Sequence, residues 1–212
     1  MAFATEQEKF WAGEFGNEYM ERNQGANWIA ANMALFSQVL RRCDAVESVL
    51  EFGANIGLNL NALHALLPQA QLSAIEINPK AAAILRGTGN VAVFEQSVLE
   101  FQAKQQYDFV MTKGLLIHIE PASLSAVYER LYQSSRRYVC VTEYYNPSPV
   151  EVPYRGHSGK LFKRDFAGEL MDRYPDLKLL DYGFAYRRDP VFPQDDMTWF
   201  LLAKQNYYEF QK

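Results

Sequence analysis

A carboxylate, two glycines and an amide share one short run, Val49-Leu50-Glu51-Phe52-Gly53-Ala54-Asn55-Ile56-Gly57-Leu58-Asn59-Leu60. The apolar stretch ends in Glu51, turns through Gly53, Asn55 and Gly57, and resumes with helical periodicity. This reads as strand, tight turn and helix. In open α/β sheets ligands bind beyond the carboxyl ends of the strands, and glycines there let backbone approach them closely. A carboxylate at the strand tip repels a pyrophosphate and attracts an ammonium group. The chemistry expected is therefore the binding of a cofactor with a free amino-acid end. About twenty residues further on, Glu76 closes a second strand, where a carboxylate accepts hydrogen bonds from both hydroxyls of a ribose. Ser97, just past a third strand, is placed for the adenine edge, and Ile77 and Val98 adjoin these two. Lys113 ends a fourth strand beside the amino-acid end. Tyr19 and Arg22, in the segment before the first strand, are expected to close over the cofactor, with Arg22 pairing its carboxylate.

The elements that position these residues follow from periodicity. Strands are expected at Ser48 to Phe52, Leu72 to Ile77, Val91 to Phe94, Tyr107 to Thr112 and Tyr138 to Thr142. Helices are expected at Leu58 to Leu67, Pro79 to Arg86 and Pro121 to Tyr132. Strands alternating with helices at this spacing give a Rossmann-like α/β fold: a seven-stranded, mostly parallel sheet with helices on both faces. Lys178 to Ala185 and Thr198 to Lys204 have no helix between them and read as a C-terminal antiparallel pair. Asn27 is the expected cap of a helix running to Arg42, and Trp11 to Asn23 reads as a shorter helix or ordered arm. Residues 1–212 are taken as a single domain, with a helical arm over 1–42 and a core over 43–212. The stretch from Asn146 to Phe162 is the one long irregular segment, and its charges and aromatics mark the loop over 143–165 as a binding loop.

Composition narrows the partners. With 212 residues, 49% of them apolar, the chain can bury its own core. A net charge of -4 and a pI near 5.5 give no reason to expect nucleic acid, so a small molecule is the expected partner. Cys43 and Cys140 are too few for a zinc site, so no metal is expected. The N-terminal residues lack a basic and an apolar region, and no apolar run is long enough for a membrane span. A soluble cytoplasmic protein is the expectation.

The glycine turn also distinguishes cofactors. A dinucleotide fingerprint needs glycine at its first, third and sixth positions, here Gly53, Asn55 and Leu58. With Glu51, Gly53 and Gly57, Glu76, and Tyr107-Asp108-Phe109-Val110-Met111-Thr112-Lys113-Gly114, the chain resembles class I S-adenosylmethionine-dependent methyltransferases. It is similar, more narrowly, to methylases associated with pseudaminic acid biosynthesis. That similarity rests on Phe10-Trp11-Ala12-Gly13-Glu14-Phe15-Gly16-Asn17-Glu18-Tyr19, Glu143-Tyr144-Tyr145-Asn146-Pro147, Tyr154-Arg155-Gly156-His157, Leu161-Phe162-Lys163-Arg164-Asp165-Phe166, Asp181-Tyr182-Gly183-Phe184 and Asp195-Asp196-Met197-Thr198-Trp199-Phe200. The resemblance implies S-adenosyl-L-methionine as cofactor and S-adenosyl-L-homocysteine as product. It also implies a sugar or nucleotide-sugar acceptor of the nonulosonic type, in bacterial surface glycan modification.

Methyl transfer from a sulfonium needs the protein to align the nucleophile and, for an alcohol, to remove a proton. His118, Glu143 and His157 are the candidates for that base. Tyr144, Tyr145 and Tyr154 could stack on a sugar ring, and Arg155 and Lys163 could hold a carboxylate or phosphate. Two alternatives remain: an NAD-type oxidoreductase, disfavoured by Glu51, Asn55 and Leu58, and a non-catalytic S-adenosylmethionine-binding partner in glycan assembly.

Overall fold

The structure, a computed structural model, describes residues 3–208, with side chains described as far as residue 206. In chain order it contains helices α1 (Glu6–Ala12), α2 (Glu14–Arg22) and α3 (Ala26–Leu40), then β1 (Ser48–Phe52), α4 (Leu58–Leu66), β2 (Gln71–Glu76), α5 (Pro79–Gly87) and β3 (Val91–Glu95). Strand β4 (Tyr107–Lys113) leads through 3-10 turns at Leu116–His118 and Pro121–Ser123 to α6 (Leu124–Ser134) and β5 (Ser135–Glu143). The chain ends with β6 (Val150–Glu151), β7 (Phe162–Lys163), α7 (Phe166–Arg173), β8 (Leu177–Ala185), β9 (Met197–Lys204) and α8 (Gln205–Tyr208).

Seven strands form one sheet in the order β3-β2-β1-β4-β5-β9-β8. The first five are parallel, while β9 runs antiparallel to both β5 and β8. Strand order reverses between β1 and β4, so the connections leaving those two strands diverge to opposite faces and open a crevice at their tips. The central strands are buried on both faces, as near-continuous apolar runs require. Leu50, Phe52, Val110, Val139 and Val141 face a core closed by α6 and α7. Val49, Phe109, Met111 and Cys140 face a second core closed by α3 and α4. Residues one apart on a strand thus belong to different cores, as a period of two dictates.

Local chemistry explains the element boundaries. Asn78 caps α5, accepting from the backbone N–H groups of Lys80 and Ala81, and Pro79 occupies the first turn. Thr5 and Glu8 form a reciprocal capping box on α1. Asn27 does not cap α3: the helix begins at Ala26 after Gly25, whose φ of 118° is open to glycine and turns the chain sharply out of α2. Strands β6 and β7 and helix α7 were not expected. Within the segment read as irregular, β6 pairs with β7 antiparallel, Val150 opposite Lys163, and α7 follows with Asp165 as its cap. Among the described residues no helix is long and apolar enough to cross a membrane.

Candidate active site

The crevice at the strand tips opens into a cavity of about 490 Å³. Its floor is the turn after β1. Gly53 (φ 71°), Asn55 (φ 49°) and Gly57 (φ 81°) are all left-handed, and the Gly53 N–H donates to the Ile75 carbonyl at 2.9 Å. A Cβ at Gly53 would lie 2.7 Å from Leu115 Cδ1, and one at Gly57 would lie 2.5 Å from Leu85 Cδ2. The left-handed conformation favours glycine at both positions, and a Cβ there would also have to push aside the end of a leucine side chain. Gly53 and Asn55 line the cavity, while Gly57 sits behind it, starting α4.

Glu76, only 7% exposed, fixes this turn to β2. Its Oε2 accepts from the Asn55 N–H at 2.7 Å and its Oε1 from the Asn78 N–H at 2.7 Å. Burial pushes its pKa up, and these backbone donors oppose the shift. A carboxylate has about four acceptor positions, and with backbone donors at Asn55, Asn78 and Ile77, Glu76 keeps one for a hydroxyl donor in the cavity. Ile77 and Val98 line the same wall. Ser97 lines it too, but its hydroxyl donates to the Glu8 carboxylate and accepts from the Leu99 N–H. Its proton is already committed, which removes it as a donor to an adenine edge. Glu51 is fully buried and lies outside the lining. It reaches the cavity through Asn59, whose Nδ2 donates to Glu51 Oε1 at 2.6 Å. Burial pushes the Glu51 pKa up to about 8, with Asn59 and Lys113 opposing. Tyr19 and Lys113 line the cavity. Arg22 does not: it pairs with Glu18 at 3.2 Å one turn back, and its guanidinium stands 5.5 Å from the Phe15 ring centre.

The opposite wall holds His118, Tyr144, Tyr154 and Arg155. His118 is 7% exposed, and its Nδ1 lies 2.7 Å from the Lys160 carbonyl. A carbonyl can only accept, so Nδ1 carries the proton and Nε2 keeps the lone pair. Burial pushes the His118 pKa down to about 4, and the Lys160 bond opposes. The imidazole is thus neutral near pH 7 and packed between Trp11, 4.4 Å away, and Tyr154, 5.0 Å away. Glu143 is placed differently from a base facing an acceptor. It is 2% exposed and accepts from the N–H groups of Leu115, Leu116 and Ile117 at 3.1, 3.0 and 3.4 Å. It organises the turn that carries His118. His157 packs edge-on against Phe10 and Phe15 outside the lining. Tyr145 is exposed beside Phe200, and Lys163 Nζ sits 5.0 Å over the Tyr144 ring, so neither lines the cavity.

Several lining residues were not anticipated from the sequence. Helices α1 and α2 cross the cavity and bring Glu8 and Trp11 into its wall. They are fastened by the Ser97–Glu8 bond and by Asn78 Nδ2, which donates to the Trp11 carbonyl and to Asn17 Oδ1, each at 3.1 Å. The Thr5-x-x-Glu8 spacing was a legible signal for the start of α1, though not for what Glu8 touches. Asp195 arrives on the β8–β9 loop, which is anchored where Gln194 Nε2 donates to Asn32 Oδ1 of α3 at 3.0 Å. No local pattern announces that contact.

No family model matches the sequence, and no curated protein matches it. Solved structures do. The 1,6-didemethyltoxoflavin-N1-methyltransferase of Burkholderia thailandensis superposes with a TM-score of 0.66 at 16% identity, covering 93% of this chain and 86% of that one. The magnesium protoporphyrin IX methyltransferase of Synechocystis PCC 6803 gives 0.66 at 11% identity, covering 93% and 97%. The plantazolicin methyltransferase gives 0.65 at 13% identity, covering 93% and 94%. All three were crystallised with S-adenosylhomocysteine. At these identities the shared property is the fold, and the chain has the Rossmann-like fold of class I S-adenosylmethionine-dependent methyltransferases.

Proposed function

We propose that this protein is an S-adenosylmethionine-dependent methyltransferase acting on a small molecule. The observation that carries the reading is the convergence, in one cavity, of the left-handed Gly53–Asn55 turn, the Glu76 carboxylate and the neutral His118 imidazole. The donor set fits the cofactor. Backbone at Gly53 permits close approach, Glu76 retains acceptor capacity toward a ribose hydroxyl, and the cavity volume falls within the usual range for ligand sites. That structural neighbours were crystallised with S-adenosylmethionine or S-adenosylhomocysteine supports the same assignment.

The bound sulfonium would supply an already activated methyl group. The protein then has to position the acceptor and take its proton. His118 is the candidate on the wall for the second task, with its tautomer fixed by Lys160 and its Nε2 lone pair unprotonated, although burial makes it a weak base. Trp11 and Tyr154, packed on the imidazole, shield it from water. The finer reading is that the acceptor is a hydroxyl of a nonulosonic sugar or its nucleotide derivative. The sequence resemblance supports it, together with Tyr144, Tyr154 and Arg155 lining the wall beside His118, where rings can stack on a sugar and a guanidinium can hold its carboxylate.

A thermal shift tests the cofactor. S-adenosylhomocysteine at a hundredfold its Kd should stabilise the fold by about 2.7 kcal/mol, or ~5–10 °C in Tm. NADH should produce none, and a shift with NADH alone would overturn the reading. Transfer of label from S-adenosylmethionine to candidate sugars then tests the acceptor.

A further inference from the structure

Strand β8 closes one end of the sheet and, among the described residues, pairs with β9 alone. Its first residue, Leu177, is buried in the core closed by α6 and α7, and that cover then runs out: Tyr182 is 64% exposed, Phe184 59% and Tyr186 47%. Past the bulge between Leu179 and Asp181, Tyr182 lies opposite Phe200 and Phe184 opposite Thr198. Phe200 is two residues from the buried Leu202, so these aromatics share the sheet face that α7 covers further down. Tyr182 stacks on Phe200 at 6.2 Å between ring centres, and Tyr145 leans on Phe200 at 5.9 Å. The result is a bare aromatic face along a free strand edge.

The edge lacks protection over the same stretch. Its unpaired N–H and C=O groups are a template for another strand, and such edges are normally blunted by charge, proline or shortness. The charges of β8, Lys178 and Asp181, fall in its first half, and Tyr182-Gly183-Phe184-Ala185-Tyr186 holds neither charge nor proline. At the other end of the sheet β3 is only five residues long and finishes in Glu95, paired with Arg86 at 2.7 Å. The occupant that β8 fits is a second copy of itself, because a two-fold axis normal to the sheet sets a strand antiparallel to its own copy. With Phe184 on the axis, Tyr182 falls opposite Tyr186 and Asp181 opposite Arg187, so each favourable pair forms twice. Centring on Gly183 sets Lys178 against Arg188, like charge against like, and centring on Tyr182 leaves Asp181 facing Gly183. The area is also adequate. Tyr145, Tyr182, Phe184, Tyr186 and Phe192 are each between 43% and 64% exposed. At ~200 Å² per aromatic side chain they offer roughly 500 Å², before any backbone is counted, against about 800 Å² per partner in a stable interface.

We propose that the chain forms a two-fold dimer by antiparallel pairing of β8 with its copy, joining two seven-stranded sheets into one. Sedimentation equilibrium of the full chain tests it, with twice the 24.4 kDa chain mass expected at micromolar concentration. Phe184→Asp should raise the dimer Kd about tenfold or more without altering the far-ultraviolet circular dichroism. Tyr182→Lys, at a more exposed site, should do the same, which separates lost pairing from a folding defect in either variant. Oxidation of added cysteines tests the register. Phe184→Cys should link two chains, because its copy lies directly opposite. Tyr182→Cys should not, since its copy lies four residues along the facing strand, beyond disulfide reach. A monomeric parent protein assigns the face to another ligand or protein and overturns the proposal. A dimer unaffected by both charge substitutions, or linkage through Tyr182→Cys in preference to Phe184→Cys, overturns it as well.

Discussion

Two histidines and a glutamate compete for one catalytic role in the sequence, and the partner each side chain already has decides among them. His157 is exposed outside the cavity lining, edge-on to Phe10 and Phe15, and Glu143 is surrounded by three backbone N–H groups. His118 keeps an unprotonated Nε2 on the cavity wall. His118→Gln should therefore lower the rate of methyl transfer to a hydroxyl acceptor by about 10²–10⁴-fold with little effect on S-adenosylhomocysteine affinity. An unchanged rate would assign the base elsewhere. Glu143→Gln should act through stability, costing about 1–3 kcal/mol in urea unfolding, because one of its acceptors becomes a donor facing N–H groups. Glu51 gives a pH signature. Its pKa is raised to about 8 by burial, Asn59 and Lys113 lower it, and Glu76 raises it further. A ligand ammonium placed against Asn59 favours the ionised form, so binding at pH 7 should release a proton and affinity should rise from pH 6 to 8. Calorimetry in buffers of different ionisation enthalpy measures that release, and its absence would detach the ammonium from Glu51.

Helices α1 and α2 show what an element contributes beyond its own residues. Their amphipathic pattern and the Thr5–Glu8 box are legible in the chain, but the surface they cover is not. They lie over the cavity because β2, α5 and the segment after β3 present Asn78 and Ser97 to them, from 61 to 89 residues away in sequence. Gly16 marks the tightest contact, since a Cβ there would lie 1.9 Å from the Trp11 carbonyl oxygen and 3.0 Å from Asn78 Nδ2. Gly16→Ala should separate α1 from α2 and weaken S-adenosylhomocysteine by an order of magnitude or more, while the sheet persists by far-ultraviolet circular dichroism. Retained affinity would show that the arm does not cover the ligand. The same reasoning explains why Ser97 reads one way in sequence and another in the fold. Its position after β3 is predictable, whereas the occupation of its hydroxyl by Glu8 depends on where the arm packs.

At the scale of the whole molecule, Glu143, Glu51 and His118 are among the buried titratable groups that set how stability varies with pH. Glu143 and Glu51 have folded pKa values raised to about 7 and about 8, both chiefly by burial. Their contribution is fully present below about 4.5 and is lost as pH rises through those values. His118, depressed to about 4 by burial, contributes above about 6.5 and loses that contribution as pH falls through 4. The ligand-free protein should therefore be less stable to urea at pH 9 than at pH 6, and Glu51→Gln should flatten that slope; an equal midpoint at both values would contradict the burial of these carboxylates as ionisable groups. The sheet was legible in the chain for a general reason. Strand and helix periods are local, Asn78-Pro79 and Asp165 mark helix starts by themselves, and a left-handed turn leaves glycine at Gly53 and Gly57. Seven strands with an antiparallel end, and the cluster of Glu76, Asn55 and the strand tips, follow from those local rules. What only the tertiary structure decided is which polar groups remain free. Whether Arg22, Ser97 or Glu143 can meet a ligand depends on partners such as Glu18, Glu8 and three backbone amides. Hydrogen-bonding capacity is spent pairwise across long sequence separations, and no local pattern records where it has gone.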